Sequence, residues 1–173
     1  MKKALLILTS LAVLFAVQVS TAQMAKKDIV EIAVSNDNFS TLVTALQAAD
    51  LVSALQGEGP FTVFAPLNSG FAKIDSNTLN SLLQPENKDQ LAAILTYHVV
   101  AGKLTATDVV NALNKGNGSV TLTTLGGSKI MAKKKEDGIY LKDQNGNYSK
   151  IAQTDVMASN GVIHVIEDVV MPK

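Results

Sequence analysis

The sequence contains no cysteine among its 173 residues. This absence excludes disulfide bonds, a thiol nucleophile and a cysteine-linked lipid anchor. Stability must therefore come from packing alone, and a chain of this length can bury a core without covalent cross-links.

Arginine is also absent, and all the basic residues are lysines. Arginine is the side chain best suited to bidentate contacts with phosphates and base edges. Once Lys2 and Lys3 are set aside, 13 lysines stand against 15 acidic residues, a net charge of −2. The one basic cluster, residues 133–135, is followed directly by Glu136 and Asp137. We therefore expect no nucleic-acid partner.

Sequence motifs for hydrolysis or metal binding are missing too. The chain has no Gly-x-Ser-x-Gly nucleophile elbow and no His-Glu-x-x-His zinc motif. Its two histidines, His98 and His164, each stand alone among apolar neighbours, where a hydrogen-bonded core residue is more common than a base. The sequence predicts a protein that is not an enzyme, with no catalytic residues, metal site or cofactor. A hydrolase is a distant third hypothesis.

The first residues indicate export. Two lysines precede an apolar run, and small residues at Ser20 and Ala22 suit signal-peptide cleavage after Ala22. The run is shorter than a bilayer requires, which favours cleavage over an anchor. We predict a signal peptide at 1–22, a linker at 23–27 and one domain at 28–172. The mature protein would be secreted or periplasmic, and the leader is of a bacterial type. It would contact membranes only by surface association.

Hydrophobic periodicity changes along the chain. Apolar residues recur at helical spacing before residue 115, for example at Phe39, Leu42 and Leu46. From Ser119 onward they alternate with polar residues and are separated by hairpin signals such as Asp137-Gly138. Helices followed by a β-meander favour an α+β fold.

Three stretches carry a family resemblance. The first runs from Gly59 to Phe71 (GPFTVFAPLNSGF), the second from Leu95 to Leu104 (LTYHVVAGKL), and the third from Asn160 to Pro172 (NGVIHVIEDVVMP). Together and in this order they resemble the motifs of the fasciclin (FAS1) family. The resemblance implies a compact wedge of two small β-sheets, a β-sandwich-like arrangement, with several helices packed against it. The last stretch is also so continuously apolar that it predicts a strand covered on both faces.

The resemblance assigns roles to individual residues. In animal relatives the Tyr-His element is implicated in integrin-dependent adhesion, and the matching residues are Tyr97 and His98. An Asp-Ile pair near the last motif corresponds here to Asp168 and Val169. The residues expected to maintain the fold are Thr62, Val63, Phe64, Ala65, Pro66, Asn68, Phe71, Gly161 and His164. Ser69-Gly70 stands where the family has an acidic residue and alanine.

Two functions from different classes remain open at this stage. The first is a secreted adhesion module that binds a cell-surface or matrix protein or a polysaccharide. The second is a carrier of a small apolar ligand, a lipid or pigment, in a cleft between helices and sheet. Contact surfaces are expected in the Tyr97–Leu104 segment and the Lys129–Lys142 hairpin, although a lysine-rich edge also protects a sheet from pairing with another chain. A monomer is expected.

Overall fold

The computed structural model describes residues 27–173, so the predicted signal peptide and nearly all of the linker lie outside the described residues. The α-helices are α1 (Ile29–Val34), α2 (Ser40–Ala48), α3 (Val52–Gln56), α4 (Asn68–Phe71), α5 (Ser76–Leu82), α6 (Lys88–Tyr97) and α7 (Ala106–Lys115). Short 3₁₀ helices occupy Asp37–Phe39 and Pro85–Asn87. The strands are β1 (Phe61–Pro66), β2 (Val99–Ala101), β3 (Ser119–Thr123), β4 (Lys129–Lys135), β5 (Gly138–Lys142), β6 (Tyr148–Ala158) and β7 (Gly161–Ile166).

The strands form one seven-stranded sheet in the order β2-β1-β7-β6-β5-β4-β3. The long strand β6 joins its two halves, since residues 148–150 pair with β5 and residues 151–158 pair with β7. A bridge between Val100 and Thr124 links the two ends of this order. The predicted α+β fold is confirmed, and the two sheets expected from the resemblance are the two halves of this continuous sheet.

Strand β7 lies at the centre of one half. It runs parallel to β1, with His164 opposite Phe64, and antiparallel to β6. Every residue of β7 is buried. The prediction that this run is covered on both faces is therefore confirmed.

Two apolar clusters cover the two faces of β1 and β7. Helices α1, α2 and α6 pack over the side that carries Val63, Ala65 and Ile163. Helix α7 packs over the other side, where Phe64 and Ile166 meet the inward residues of β3, β4 and β5. Because successive side chains of a strand point to opposite faces, a strand between two apolar layers needs an apolar residue at nearly every position.

Helix capping follows local sequence in some places and tertiary contacts in others. Thr105 and Asp108, three residues apart, have the sequence pattern of a capping box, and this box forms. Asn87 and Gln90 have the same spacing and predict a second capping box. That prediction is wrong, because the Asn87 side chain makes no capping bond and its amide donates to the Ser81 carbonyl at 2.7 Å instead. Asn68 does not cap its own helix either. Its Oδ1 accepts from the N–H of Thr41 at 3.0 Å and so caps α2 from a distant part of the chain.

Candidate functional site

Tyr97 ends helix α6 and is 1% exposed. Its hydroxyl donates a hydrogen bond to the Lys129 carbonyl at 3.0 Å, which ties α6 to the start of β4. Burial, and secondarily the nearby Asp143 carboxylate, raises the pKa of Tyr97 above its ordinary value. The ring therefore stays neutral and serves as a hydrogen-bonded part of the core.

His98 follows Tyr97 and is 2% exposed. Its Nε2 accepts from the N–H of Val170 at 3.2 Å, so Nδ1 carries the proton and donates to the Ile94 carbonyl at 2.8 Å. Burial lowers the pKa of His98 to about 4. The ring is neutral at pH 7, with both nitrogens occupied by backbone groups.

Asp168 and Val169 lie just beyond β7, on the outer side of the same region. Ser149, which is 1% exposed, donates through Oγ to the Asp168 carbonyl and accepts from the Asp168 N–H, both at 2.9 Å. This pair of bonds fixes the backbone at Asp168. The Asp168 carboxylate forms an ion pair with Lys73 at the surface, and Val169 packs its half-buried side chain against the helical core cluster.

A surface groove of about 480 Å³ runs along this segment. We call it the Asp168 groove, and its lining residues are Gly70, Lys73, Ile74, Asn147, Tyr148, Asp168, Val169 and Met171. It combines an accessible carboxylate and ammonium with an aromatic ring and apolar side chains. Such a mixture suits a partner that offers both polar and apolar groups.

Gly70, which lines the groove, allows a close backbone contact with Glu167 and Asp168. A Cβ at this position would lie 2.6 Å from the Glu167 carbonyl oxygen and 3.1 Å from the Asp168 Cα. The first helical turn after β1 can therefore approach the end of β7 only because residue 70 has no side chain. The departure from alanine at this position is explained by that close contact.

The structure thus separates the two predicted pairs, although His98 contacts the same segment through the backbone N–H of Val170. Tyr97 and His98 lie in the core, whereas Asp168 and Val169 border the groove. The resemblance-based binding role of all four residues stays a prediction. Within the described residues, the pair with accessible surface is Asp168 and Val169.

Sequence reasoning did not identify Lys73, Tyr148 or Ser149 as neighbours of Asp168. Lys73 is far from it in sequence and carries no motif. Ser149 belongs to an Asn-Tyr-Ser glycosylation sequon, which we interpret as a chance turn sequence and which does not point to Asp168. Tyr148 gave a partial signal, because β-strand alternation places an aromatic residue on the outer face beside a hairpin turn. Only the packing of α4 and β6 against the end of β7 brings them together.

The motif residues in β1 and β7 are occupied with packing. Thr62 is fully buried, and its Oγ1 donates to the Gly102 carbonyl at 2.7 Å and accepts from the Leu104 N–H at 2.8 Å. His164 is 1% exposed, stacks on Phe64 with ring centroids 5.7 Å apart, and uses Nε2 to donate to the Leu104 carbonyl at 2.8 Å. These contacts hold the segment after β2 against the sheet.

The remaining members of the motif are equally enclosed. Val63, Phe64, Ala65 and Phe71 are each at most 5% exposed, and Pro66 is also fully buried. Gly161 lies opposite Phe61 in the parallel pair, and a Cβ there would come within 2.1 Å of the Phe61 carbonyl oxygen. The backbone of β7 can lie beside β1 at this point only with glycine.

Space for a buried ligand is small. The cavity between the helices and the sheet, lined by apolar residues such as Leu42, Leu46 and Phe64, has about 20 Å³. That is room for about one water molecule.

Within residues 27–173, no three His, Asp or Glu side chains come together as they would around a metal ion. None of the helices in this part of the chain has the length and apolar character that a bilayer crossing requires.

The arrangement of helices and sheet matches a known architecture. A solved FAS1 domain pair from the insect cell adhesion molecule fasciclin I aligns with a TM-score of 0.59 and 17% identity over 79% of this chain and 46% of that chain. At this identity the likeness concerns the fold, so the protein has the fold of a FAS1 domain.

Sequence comparison extends this to the family. Residues 37–172 match the fasciclin domain profile, and the chain belongs to the fasciclin domain family. Protein sll1483 of Synechocystis sp. is 49% identical over 144 residues, which cover 83% of this chain and 73% of that protein. The transforming growth factor-beta-induced protein ig-h3 of Sus scrofa is 34% identical over 144 residues, which cover 83% of this chain but 19% of that protein.

Proposed function

We propose that the protein is a secreted, non-enzymatic adhesion module that binds a cell-surface or extracellular-matrix component, a protein or a polysaccharide, through the Asp168 groove. The observation that carries the proposal is the position of Asp168 and Val169. The family resemblance implies a binding role for this pair, in which valine replaces the family's isoleucine, and the pair borders an open groove whose backbone is held in place by Ser149.

Membership of the fasciclin family supports the adhesive role, since the related solved structure comes from a cell adhesion molecule. The predicted signal peptide supports export. A non-enzymatic function agrees with the burial of both histidines, whose ring nitrogens contact backbone groups rather than a cleft. The protein acts as a monomer in this proposal, since one copy supplies the whole groove.

The geometry favours binding of a partner at the exposed rim of the Asp168 groove rather than enclosure of a ligand inside the protein. Asp168 and Lys73 keep 32% and 61% of their side-chain surface exposed. An exposed ion pair of this kind contributes at most about 1 kcal/mol to stability. Asp168 and Lys73 can consequently give up their mutual ion pair and bind charged groups of a partner, at a low cost in free energy.

The test is adhesion of beads coated with the purified protein to cells of the producing organism and to immobilised polysaccharides and matrix proteins. Asp168→Asn keeps the shape of the side chain and removes its charge. We expect adhesion to weaken by roughly fivefold, as loss of one charged contact at an interface would produce.

Asp50→Asn is the matched control. Asp50 also forms an exposed ion pair with a lysine, Lys88, at 3.4 Å, and it does not line the groove. Adhesion should be unchanged in this variant. Equal adhesion of the wild type and Asp168→Asn would contradict the role of the groove.

The carrier hypothesis has less support. A lipid or pigment needs an apolar pocket of several hundred cubic ångströms, whereas the cavity between helices and sheet has about 20 Å³. Mass spectrometry of solvent extracts from the purified protein tests it, and a stoichiometric apolar ligand would revive it.

A further inference from the structure

The outer face of β4, β5 and β6 carries a regular array of lysines and tyrosines. Strand alternation divides the run at residues 133–135, so that Lys133 and Lys135 lie on this outer face and Lys134 does not. Pairing places Lys133 beside Tyr140 and Tyr140 beside Lys150, and the next row places Lys142 beside Tyr148. We call these six residues the lysine–tyrosine face.

The two tyrosines hold the cations of this face in position. The Lys135 Nζ lies 3.8 Å from the centroid of the Tyr148 ring and 4.3 Å from that of Tyr140. The rings themselves meet edge to face, with centroids 6.5 Å apart. Cation–π attraction therefore fixes an exposed ammonium group that would otherwise sample many rotamers.

Acidic side chains neutralise only one corner of the face. The Asp137 carboxylate accepts from the Tyr140 hydroxyl at 2.7 Å and from the Lys150 Nζ at 2.9 Å. Glu167 lies close enough to raise the pKa of Lys150 slightly further, after Asp137 as the main cause. Among the described residues, Lys133, Lys135 and Lys142 form no ion pair, so their positive charge remains available.

A groove of about 410 Å³ continues this face towards the β5–β6 turn and is bordered by Lys129 and Lys142. Thr121 and Gln144 add hydroxyl and amide groups at its rim. Asp143 also borders it, but its carboxylate is 5% exposed and accepts from the Asn147 N–H at 2.8 Å and from its side-chain amide at 3.2 Å. The accessible polar groups of the groove are therefore mainly cationic or neutral.

We infer that the lysine–tyrosine face binds an acidic polysaccharide that carries carboxylate groups. This inference rests on the proposed adhesive function and names the chemical class of one of its ligands. Charge complementarity is the main argument: three unpaired lysines face outward on a protein whose overall charge is close to zero.

The form of the surface selects a polysaccharide over other polyanions. Neighbouring strands are about 4.8 Å apart and alternate residues of a strand about 7 Å apart, so the lysines of this face project from closely spaced positions, which suits a linear polymer with a charge on each sugar. Nucleic-acid bases would need free aromatic faces for stacking, and Lys135 occupies one face of each tyrosine ring here. Hydroxyl groups of the sugar can bond to Thr121 and Gln144.

The experiment measures binding of the purified protein to polygalacturonate by isothermal titration calorimetry, with fully methyl-esterified polygalacturonate as the uncharged control polymer. We expect binding to the acidic polymer alone, weakening as salt is added. The double variant Lys135→Gln/Lys142→Gln should bind about tenfold more weakly, as loss of two charge-assisted contacts predicts, and with a shallower salt dependence.

Two further variants separate this site from non-specific attraction. Lys103→Gln/Lys115→Gln removes the same charge from exposed positions outside the face and should bind as the wild type does. Tyr148→Leu keeps every lysine but removes the ring beneath Lys135. Its loss of binding free energy, relative to the wild type, should be about half of the loss in the double lysine variant. Circular dichroism and thermal unfolding check that each variant is folded.

Several outcomes overturn the inference. These are no binding of polygalacturonate, equal loss in the Lys103/Lys115 variant, or equal affinity for single-stranded DNA or for vesicles containing phosphatidylglycerol. Self-association through this face in sedimentation experiments would also overturn it. The proposed adhesive function is judged separately by bead adhesion of Asp168→Asn. Asp168 lies outside this face, although Tyr148 lines both the face and the Asp168 groove. A failure of the inference can therefore be distinguished from a failure of the proposed function.

Discussion

The Nε2 atom of His98 accepts a hydrogen bond from the backbone N–H of Val170 at 3.2 Å, across 72 positions of sequence. This bond joins the end of helix α6 to the segment that follows β7. It links the buried Tyr97–His98 pair to the segment beyond β7 that carries Asp168 and Val169. Changes at His98 should therefore reach the groove through Val170.

The first prediction concerns pH. The pKa of His98 is lowered to about 4 by burial, whereas an unfolded histidine titrates near 6.5. Between these values the unfolded chain binds more protons than the folded protein. The contribution of His98 to the free energy of unfolding is therefore complete above about pH 6.5 and is lost as the pH falls towards 4. The loss attributable to His98 should reach roughly 3 kcal/mol.

Urea unfolding of the wild type and His98→Asn between pH 4 and pH 7 measures this effect. Asparagine does not titrate, so the variant should be less stable than the wild type at pH 7 and the difference should shrink as the pH falls. A constant difference across this range would mean that His98 is not held neutral by burial.

The second prediction concerns Gly70. Gly70→Ala should lower the free energy of unfolding by about 1–3 kcal/mol, because its Cβ would lie 2.6 Å from the Glu167 carbonyl oxygen. Gly57→Ala is the control, since its Cβ would meet nothing closer than the Ala54 oxygen at 3.3 Å. Thermal unfolding of both variants tests the contact, and a stable Gly70→Ala protein would show that α4 can move away from the end of β7.

The third prediction concerns Ser149. Ser149→Ala removes both hydrogen bonds to the Asp168 backbone, and a buried peptide group left without a partner costs about 1–3 kcal/mol. We expect lower stability together with weaker adhesion, because the groove loses its support. Ser35→Ala, which removes an exposed bond to the Ile32 carbonyl at 3.0 Å, should change neither property.

The fourth prediction separates the roles of Tyr97 and Asp168. Tyr97→Phe leaves the Lys129 carbonyl without its donor and should cost about 1 kcal/mol of stability. Bead adhesion well below the unfolding midpoint should be unchanged, because Tyr97 is 1% exposed. Lost adhesion of a folded Tyr97→Phe protein would instead support the direct binding role implied by the family resemblance.

Local pattern was sufficient for several features of this protein. The change from helical to alternating periodicity near residue 115 predicted the α+β order, and the continuous apolar run at 161–166 predicted a strand buried on both faces. The capping box at Thr105 and Asp108 also follows from residues three positions apart. These features depend on side chains close in sequence, so the sequence by itself determined them.

Contacts between distant segments decided the rest. Asn68 caps α2 rather than its own helix, Gly70 meets the end of β7, and the Tyr97 and His98 rings turn into the core. No local pattern predicts these partners, because each lies far away in the sequence. Strands β1 and β7, for example, pair in parallel although about a hundred residues separate them. Burial of both faces of β7 drives its pairing with β1 and β6, and these pairings determine which residues surround Asp168. The antiparallel pairing of β4, β5 and β6 determines which lysines share a face.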